Sequence, residues 1–127
     1  ISGKAGPLLG ATASALINAL KYLAGIPQET DLVSATAIEP IQTLKTNYLG
    51  GKNPRLHTDE ILIALSSSAA QNPTAAAALK QLSHLKGCDM HSTVILSSVD
   101  MDTVKKLGMY LTCEPTYEEA DRMYHKK

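Results

Sequence analysis

Residues 93–113, TVILSSVDMDTVKKLGMYLTC, decide the fold class. Thr93-Val94-Ile95-Leu96 is a short β-branched apolar run, and Met109, Leu111 and Cys113 fall on alternate positions, so each end of the stretch reads as a strand. Between them Asp100 reads as the cap of a brief helix that ends at Lys105, Lys106 and Gly108. Strand, helix and strand in that order predict a small βαβ unit. The crossover is about a dozen residues, near the minimum for a parallel connection, and an antiparallel pairing stays open.

N-terminal to this stretch the period changes from two to 3.6. Leu9, Ala13, Leu16, Leu20 and Leu23 form one stripe, predicting a helix from Pro7 to Ala24 that Gly25 and Pro27 terminate. Glu39-Pro40 reads as the start of a second helix, carried by Ile41, Leu44 and Tyr48 and stopped by Gly50-Gly51, with Leu32-Val33 as a short extended piece before it. Lys52–His57 is a loop, because Pro54 disfavours helix at Asn53; Thr58 then caps a third helix through Ile61, Leu62, Leu65 and Ala69. Asn72 caps a fourth, with Pro73 in its first turn, running through Ala75–Ala78 to Leu82 and Leu85 and closed by Gly87. Tyr117–Tyr124 adds a last helical turn or two. The expected fold is therefore α/β and α-rich: a helical layer of about four helices followed by a small strand-helix-strand unit, with residues 1–127 as one domain.

Composition bounds what such a domain does. With 44% hydrophobic and 19% charged residues, the chain is neither a disordered tail nor a membrane span, and a soluble globular domain is expected. Twelve Lys and Arg balance twelve Asp and Glu, which removes any long-range pull toward nucleic acid or an anionic membrane. Cys88 and Cys113 are too sparse for a disulfide framework or a zinc ribbon, so a reduced, cytoplasmic protein is expected. The chain starts at Ile1 with no leader pattern and reads as a piece excised from a longer protein.

Candidate chemistry concentrates in Asn53, Arg55, His57, Thr58, Asp59 and Glu60, a loop that feeds a helix N-terminus. Free backbone N–H groups and the helix dipole favour an anion there, Arg55 offers a fork for phosphate or carboxylate, and His57 titrates near neutral pH. The competing structural use is equally specific: a turn at Asn53-Pro54, a cap at Thr58 and acids that complement the dipole. Lys4, in Gly3-Lys4-Ala5-Gly6 before the first helix, is a second anion candidate, although the P-loop spacing is absent. Residues 1–28 and 40–57 hold five Lys or Arg and no acid, so a mildly basic pocket forms if the two segments meet. Glu39 either caps its helix or offers a carboxylate to a cleft. Cys88, Asp89 and His91 form the tightest mixed donor group, but no H-E-x-x-H or C-x-x-C accompanies them, so no metal site is assigned. No cofactor is named by these residues.

Four strings, Ile38-Glu39-Pro40-Ile41-Gln42, KNPRLHTDE at 52–60, HSTVIL at 91–96 and LTCEP at 111–115, resemble the C-terminal part of a bacterial family catalogued as domain of unknown function eighteen-forty-six. The likeness runs from Gly3-Lys4 through Tyr117. It implies that full-length members are several times longer, that an N-terminal α/β nucleotide-binding-like domain precedes this piece, and that Asn53, Arg55 and His57 face a ligand cleft. Some members carry the label ATP-dependent peptidase, yet no peptidase motif stands in these residues.

Three functions follow as expectations. In the first, the domain is one wall of a cleft for a small anionic or phosphorylated ligand shared with the N-terminal domain: Arg55, Lys4, Asn53, Thr58 and His91 bind, and His57 or Glu39 transfers protons. In the second it is a non-catalytic module for homo-oligomer assembly, marked by an exposed apolar stripe on the first or third helix. The third, a metal-dependent hydrolase, requires His57 and His91 to converge with a carboxylate.

Overall fold

The computed structural model describes residues 1–114, so the expected helix at Tyr117–Tyr124 lies outside the described residues. The chain divides into two compact units, Ile1–His84 and Leu85–Lys127. The first contains α1 (Ala11–Ala24), α2 (Ala35–Thr43), a π-helical segment (Leu44–Tyr48), α3 (Thr58–Ala69) and α4 (Pro73–Leu79). The second contains β1 (Asp89–Ser92), α5 (Ser98–Lys106) and β2 (Tyr110–Cys113), and a 3-10 segment, Lys80–Leu85, runs across the boundary. The α-rich α/β class and the helices-then-βαβ order are as the sequence implies.

In the first unit α1, α3 and α4 pack on one another, and α3 against α4 is the most extensive pairing. The stripe Ala13, Leu16, Ile17 and Leu20 buries one face of α1, while Ile61, Ala64 and Leu65 do so on α3. Ala75 and Ala78 of α4 are fully buried, and the lack of bulk at these positions lets α4 approach closely. Each fully buried leucine contributes about 1.5–3 kcal/mol of transfer free energy, so Leu16, Leu20, Leu56 and Leu65 anchor this core.

Helix α1 starts four residues later than the stripe suggests. Leu8, Leu9 and Gly10 are extended because their backbone is used elsewhere: Leu56 N–H donates to Leu8 O at 2.9 Å, Gly10 N–H donates to Leu56 O at 3.1 Å, and Leu9 and Leu56 form a parallel bridge. Helix α2 begins five residues before the predicted start. Ser34 Oγ caps it by accepting from Ala37 N–H at 3.3 Å, so Glu39 and Pro40 are internal and Glu39 caps nothing. Leu32 and Val33 are buried bends rather than an extended piece. After Thr43 the helix widens into a π turn, with Leu49 N–H donating to Leu44 O at 3.0 Å. Helix α3 begins at Thr58, with His57 rather than Thr58 at the N-cap. Asn72 Oδ1 caps α4 by accepting from Thr74 N–H at 3.0 Å and Ala75 N–H at 3.4 Å, as predicted, but α4 tightens to 3-10 geometry at Lys80 instead of running on to Leu85.

In the second unit the strands are parallel, in register from Asp89 opposite Tyr110 to Ser92 opposite Cys113. The first strand lies upstream of the predicted Thr93–Leu96. Ser92 Oγ donates to Val94 O at 2.6 Å and accepts from Val94 N–H at 3.2 Å, which turns the chain out of the ladder. Leu96 is buried, so the β-branched run leads into the packed interior. Ser97, not Asp100, caps α5 by accepting from Asp100 N–H at 3.3 Å.

Two glycines close the π turn. Gly50 has φ +74°, and Gly51 N–H donates to Lys45 O at 2.8 Å across a gap in which an added Cβ would lie 2.8 Å from that same oxygen. Gly51→Ala is expected to lower stability by about 1–3 kcal/mol, read from the denaturation midpoint; an unchanged midpoint would mean that the turn relaxes freely.

Candidate functional site

Lys45, on the inner turn of the π segment, is where the site begins. Its Nζ donates to Arg55 O at 2.6 Å and to Glu60 Oε1 at 2.7 Å, with both side chains largely buried. The same Glu60 oxygen accepts from His57 N–H at 2.8 Å, which makes His57 and Glu60 a capping box at the start of α3. One ammonium therefore ties the π turn, the 52–57 loop and α3 together. Asn53 shapes the loop, its Oδ1 accepting from Arg55 N–H at 3.0 Å.

The N-terminal segment lies across this loop as a strap. Arg55 Nε donates to Gly6 O at 2.7 Å, Gln42 Nε2 donates to Pro7 O at 2.9 Å, and Leu56 pairs with Leu8 and Gly10. The basic segments 1–28 and 40–57 do meet. Their charges are not equally available: Lys45 is matched by Glu60, and Lys21 is buried with Nζ on Gln28 O at 2.8 Å. Arg55 is half-buried, and neither Nη group is hydrogen-bonded among the described residues; Lys4 and Lys52 are exposed. Asn53, Arg55 and His57 thus lie on one loop that the strap covers.

The remaining candidates belong to other segments of the chain. Lys4 lies seven residues before α1 begins, so the helix N-terminus foreseen beside it is absent, and it makes no hydrogen bond or ion pair among the described residues. Thr58 is fully buried at the first position of α3. Glu39 is exposed inside α2 and likewise makes no hydrogen bond or ion pair among the described residues. His91 belongs to the second unit, where Nδ1 meets the cross-strand Thr112 Oγ1 at 2.7 Å and Nε2 meets Glu114 Oε2 at 3.3 Å, an exposed cross-strand network. Among the described residues no three His, Cys, Asp or Glu side chains gather closely enough to hold a metal ion, and no helix is long and apolar enough to cross a membrane.

Lys45, Gln42 and Gly6 were not foreseen as members of the site. Lys45 sits at an unremarkable helical position, and Gly6 takes part only through its carbonyl, which leaves no trace in a residue pattern.

A helical unit built around a strapped basic loop, followed in sequence by a small parallel βαβ unit, is the class that this geometry defines. The family profile described as "Domain of unknown function DUF1846, C-terminal" matches residues 1–124, and the chain belongs to this family. It is 54% identical to a UPF0371 protein of Corynebacterium aurimucosum over the whole chain, which covers 26% of that relative. A UPF0371 protein of Streptococcus thermophilus is 49% identical over 99% of the chain and 25% of the relative. The chain spans about a quarter of the length of the curated relatives it matches, so the relatives carry further sequence alongside this C-terminal region.

Removing Lys45 leaves the largely buried Glu60 carboxylate with His57 N–H but no cation, and takes the ammonium from the Arg55 carbonyl. Lys45→Met is expected to cost about 1–3 kcal/mol, and a double-mutant cycle with Glu60→Gln to return a coupling of about 0.5–3 kcal/mol. Additive losses in that cycle would show that the two groups do not act together.

Proposed function

We propose that the chain is the C-terminal domain of a longer cytoplasmic protein and forms one wall of a cleft for a small anionic or phosphorylated ligand. The facing wall is the N-terminal region, an α/β nucleotide-binding-like domain in this reading. The observation that carries the proposal is Arg55: its Nε is spent on Gly6 O, which fixes the guanidinium plane, while the Nη edge is uncommitted among the described residues. A guanidinium held by one nitrogen presents its other two as a bidentate fork for phosphate or carboxylate. His57, on the same loop, is the proton-transfer candidate, and Asn53 holds the loop in shape; Lys4 and Lys52 add positive charge that steers an anion inward. Bond-making groups on this reading come in part from the N-terminal region, and the isolated domain is inactive.

A second reading has one observation in its favour. Leu44, Tyr48 and Leu49 are 48%, 77% and 72% exposed on and just after the π turn, and Tyr22 on α1 and Ile63 on α3 are exposed as well. Exposed apolar groups of this kind suit an assembly surface, and a second copy of the protein is the occupant in that reading.

The test uses the full-length protein with inorganic phosphate and a nucleoside triphosphate, reading the melting temperature. Phosphate-bearing ligands are expected to stabilise the native protein by mass action, about 2.7 kcal/mol at a hundredfold excess over Kd. Arg55→Gln should abolish that shift, whereas Gln42→Ala, which removes a different tie to the same strap, should preserve it. If both substitutions or neither abolish the shift, Arg55 is not the anion contact. A concentration-dependent mass in sedimentation equilibrium that Tyr48→Ser removes, with no ligand effect, would favour assembly instead.

A further inference from the structure

Beneath the strap lies a half-open cavity of about 210 Å³. Its walls are mostly apolar, with Leu9 and Pro7 from the strap, Ile17 from α1, Val33 and Ile38 from the α2 region and Ile61 from α3. A void of about 150 Å³ already admits benzene, so this one takes an apolar body about the size of a substituted benzene or a short alkyl chain. Three side chains give it polarity: Ser14, Lys21 and Asp31.

Lys21 is the unusual member. It is only 7% exposed, yet its single hydrogen-bond partner among the described residues is the neutral carbonyl of Gln28, at 2.8 Å. An ammonium carries three donors, and a buried one normally faces a carboxylate. Asp31, the acid on this lining, is exposed and forms no ion pair with Lys21 among the described residues. The cavity therefore combines an apolar body with a lining residue, Lys21, whose buried ammonium meets no carboxylate among the described residues.

We infer that this cavity binds a small organic monocarboxylate, with the carboxylate on Lys21 and the alkyl or aryl body among Leu9, Ile17, Val33, Ile38 and Ile61. One cation offsets one negative charge, which favours a monoanion over a dianion such as phosphate. This site is distinct from the Arg55 edge and does not rest on the anion-cleft reading.

Titration calorimetry on the full-length protein with hexanoate, hexanol and inorganic phosphate tests it. Hexanoate is expected to bind more tightly than hexanol by about tenfold or more, the range of a charge-assisted hydrogen bond, and Lys21→Met should erase that preference. Ser14→Leu, which fills the cavity from a half-buried position and leaves Lys21 in place, should abolish hexanoate binding and serves should Lys21→Met fail to fold. Equal binding of hexanoate and hexanol, a preference for hexanoate that survives Lys21→Met, hexanoate binding that survives Ser14→Leu, or no hexanoate binding at all would overturn the inference. Phosphate reports on the Arg55 edge alone, so the two proposals fail separately.

Discussion

The Lys45 ammonium is the point on which the first unit turns. It sits where the π segment, the 52–57 loop and the first turn of α3 meet, and it bonds to a carbonyl of one and a carboxylate of another. A loop containing Pro54 has few backbone bonds of its own, so its shape depends on such external ties. With the loop fixed, Leu56 presents its backbone to Leu8 and Gly10, Arg55 reaches Gly6, and the N-terminal segment becomes a strap instead of a first helical turn. That strap roofs the apolar cavity beside Lys21. The partly buried ion pair, the basic loop and the strap over the cavity are thus joined by a continuous set of hydrogen bonds.

Much of this was legible in the sequence where the signal is local. The stripe Ala13, Leu16, Leu20 names the buried face of α1, Asn72-Pro73 names the start of α4, and Gly25, Gly87 and Gly108 stop their segments at positive φ. The misplacements share a cause. Leu9 continues the α1 stripe by spacing yet is bridged to Leu56, a partner far away in sequence. Glu39-Pro40 looks like a helix start because proline favours first turns, but Ser34 offers a better cap five residues upstream, and the helix tolerates Pro40 inside it. Thr93–Leu96 has strand-like composition, while the ladder falls on Asp89–Ser92, whose polar residues carry little β signal.

The candidate site was partly legible for the same reason. Asn53, Arg55 and His57 are adjacent in sequence and remain adjacent on the folded loop. Lys45, Gln42 and the Gly6 carbonyl join them only through tertiary contacts, and the capping role of His57 depends on where α3 begins, a one-residue matter that periodicity does not fix. Two of the five cations prove to be committed inside the unit, so net charge along the sequence overstates the positive surface available to a ligand.

Strap, loop and π turn form one cooperative frame. Native-state hydrogen exchange of the Gly10 and Leu56 amides in the full-length protein tests it most directly, because these two N–H groups close the strap on the loop from opposite sides. Both amides are expected to exchange with the same opening free energy, and Lys45→Met to accelerate them by the same factor. Independent exchange of the two amides, or acceleration of Leu56 with Gly10 unchanged, would contradict it.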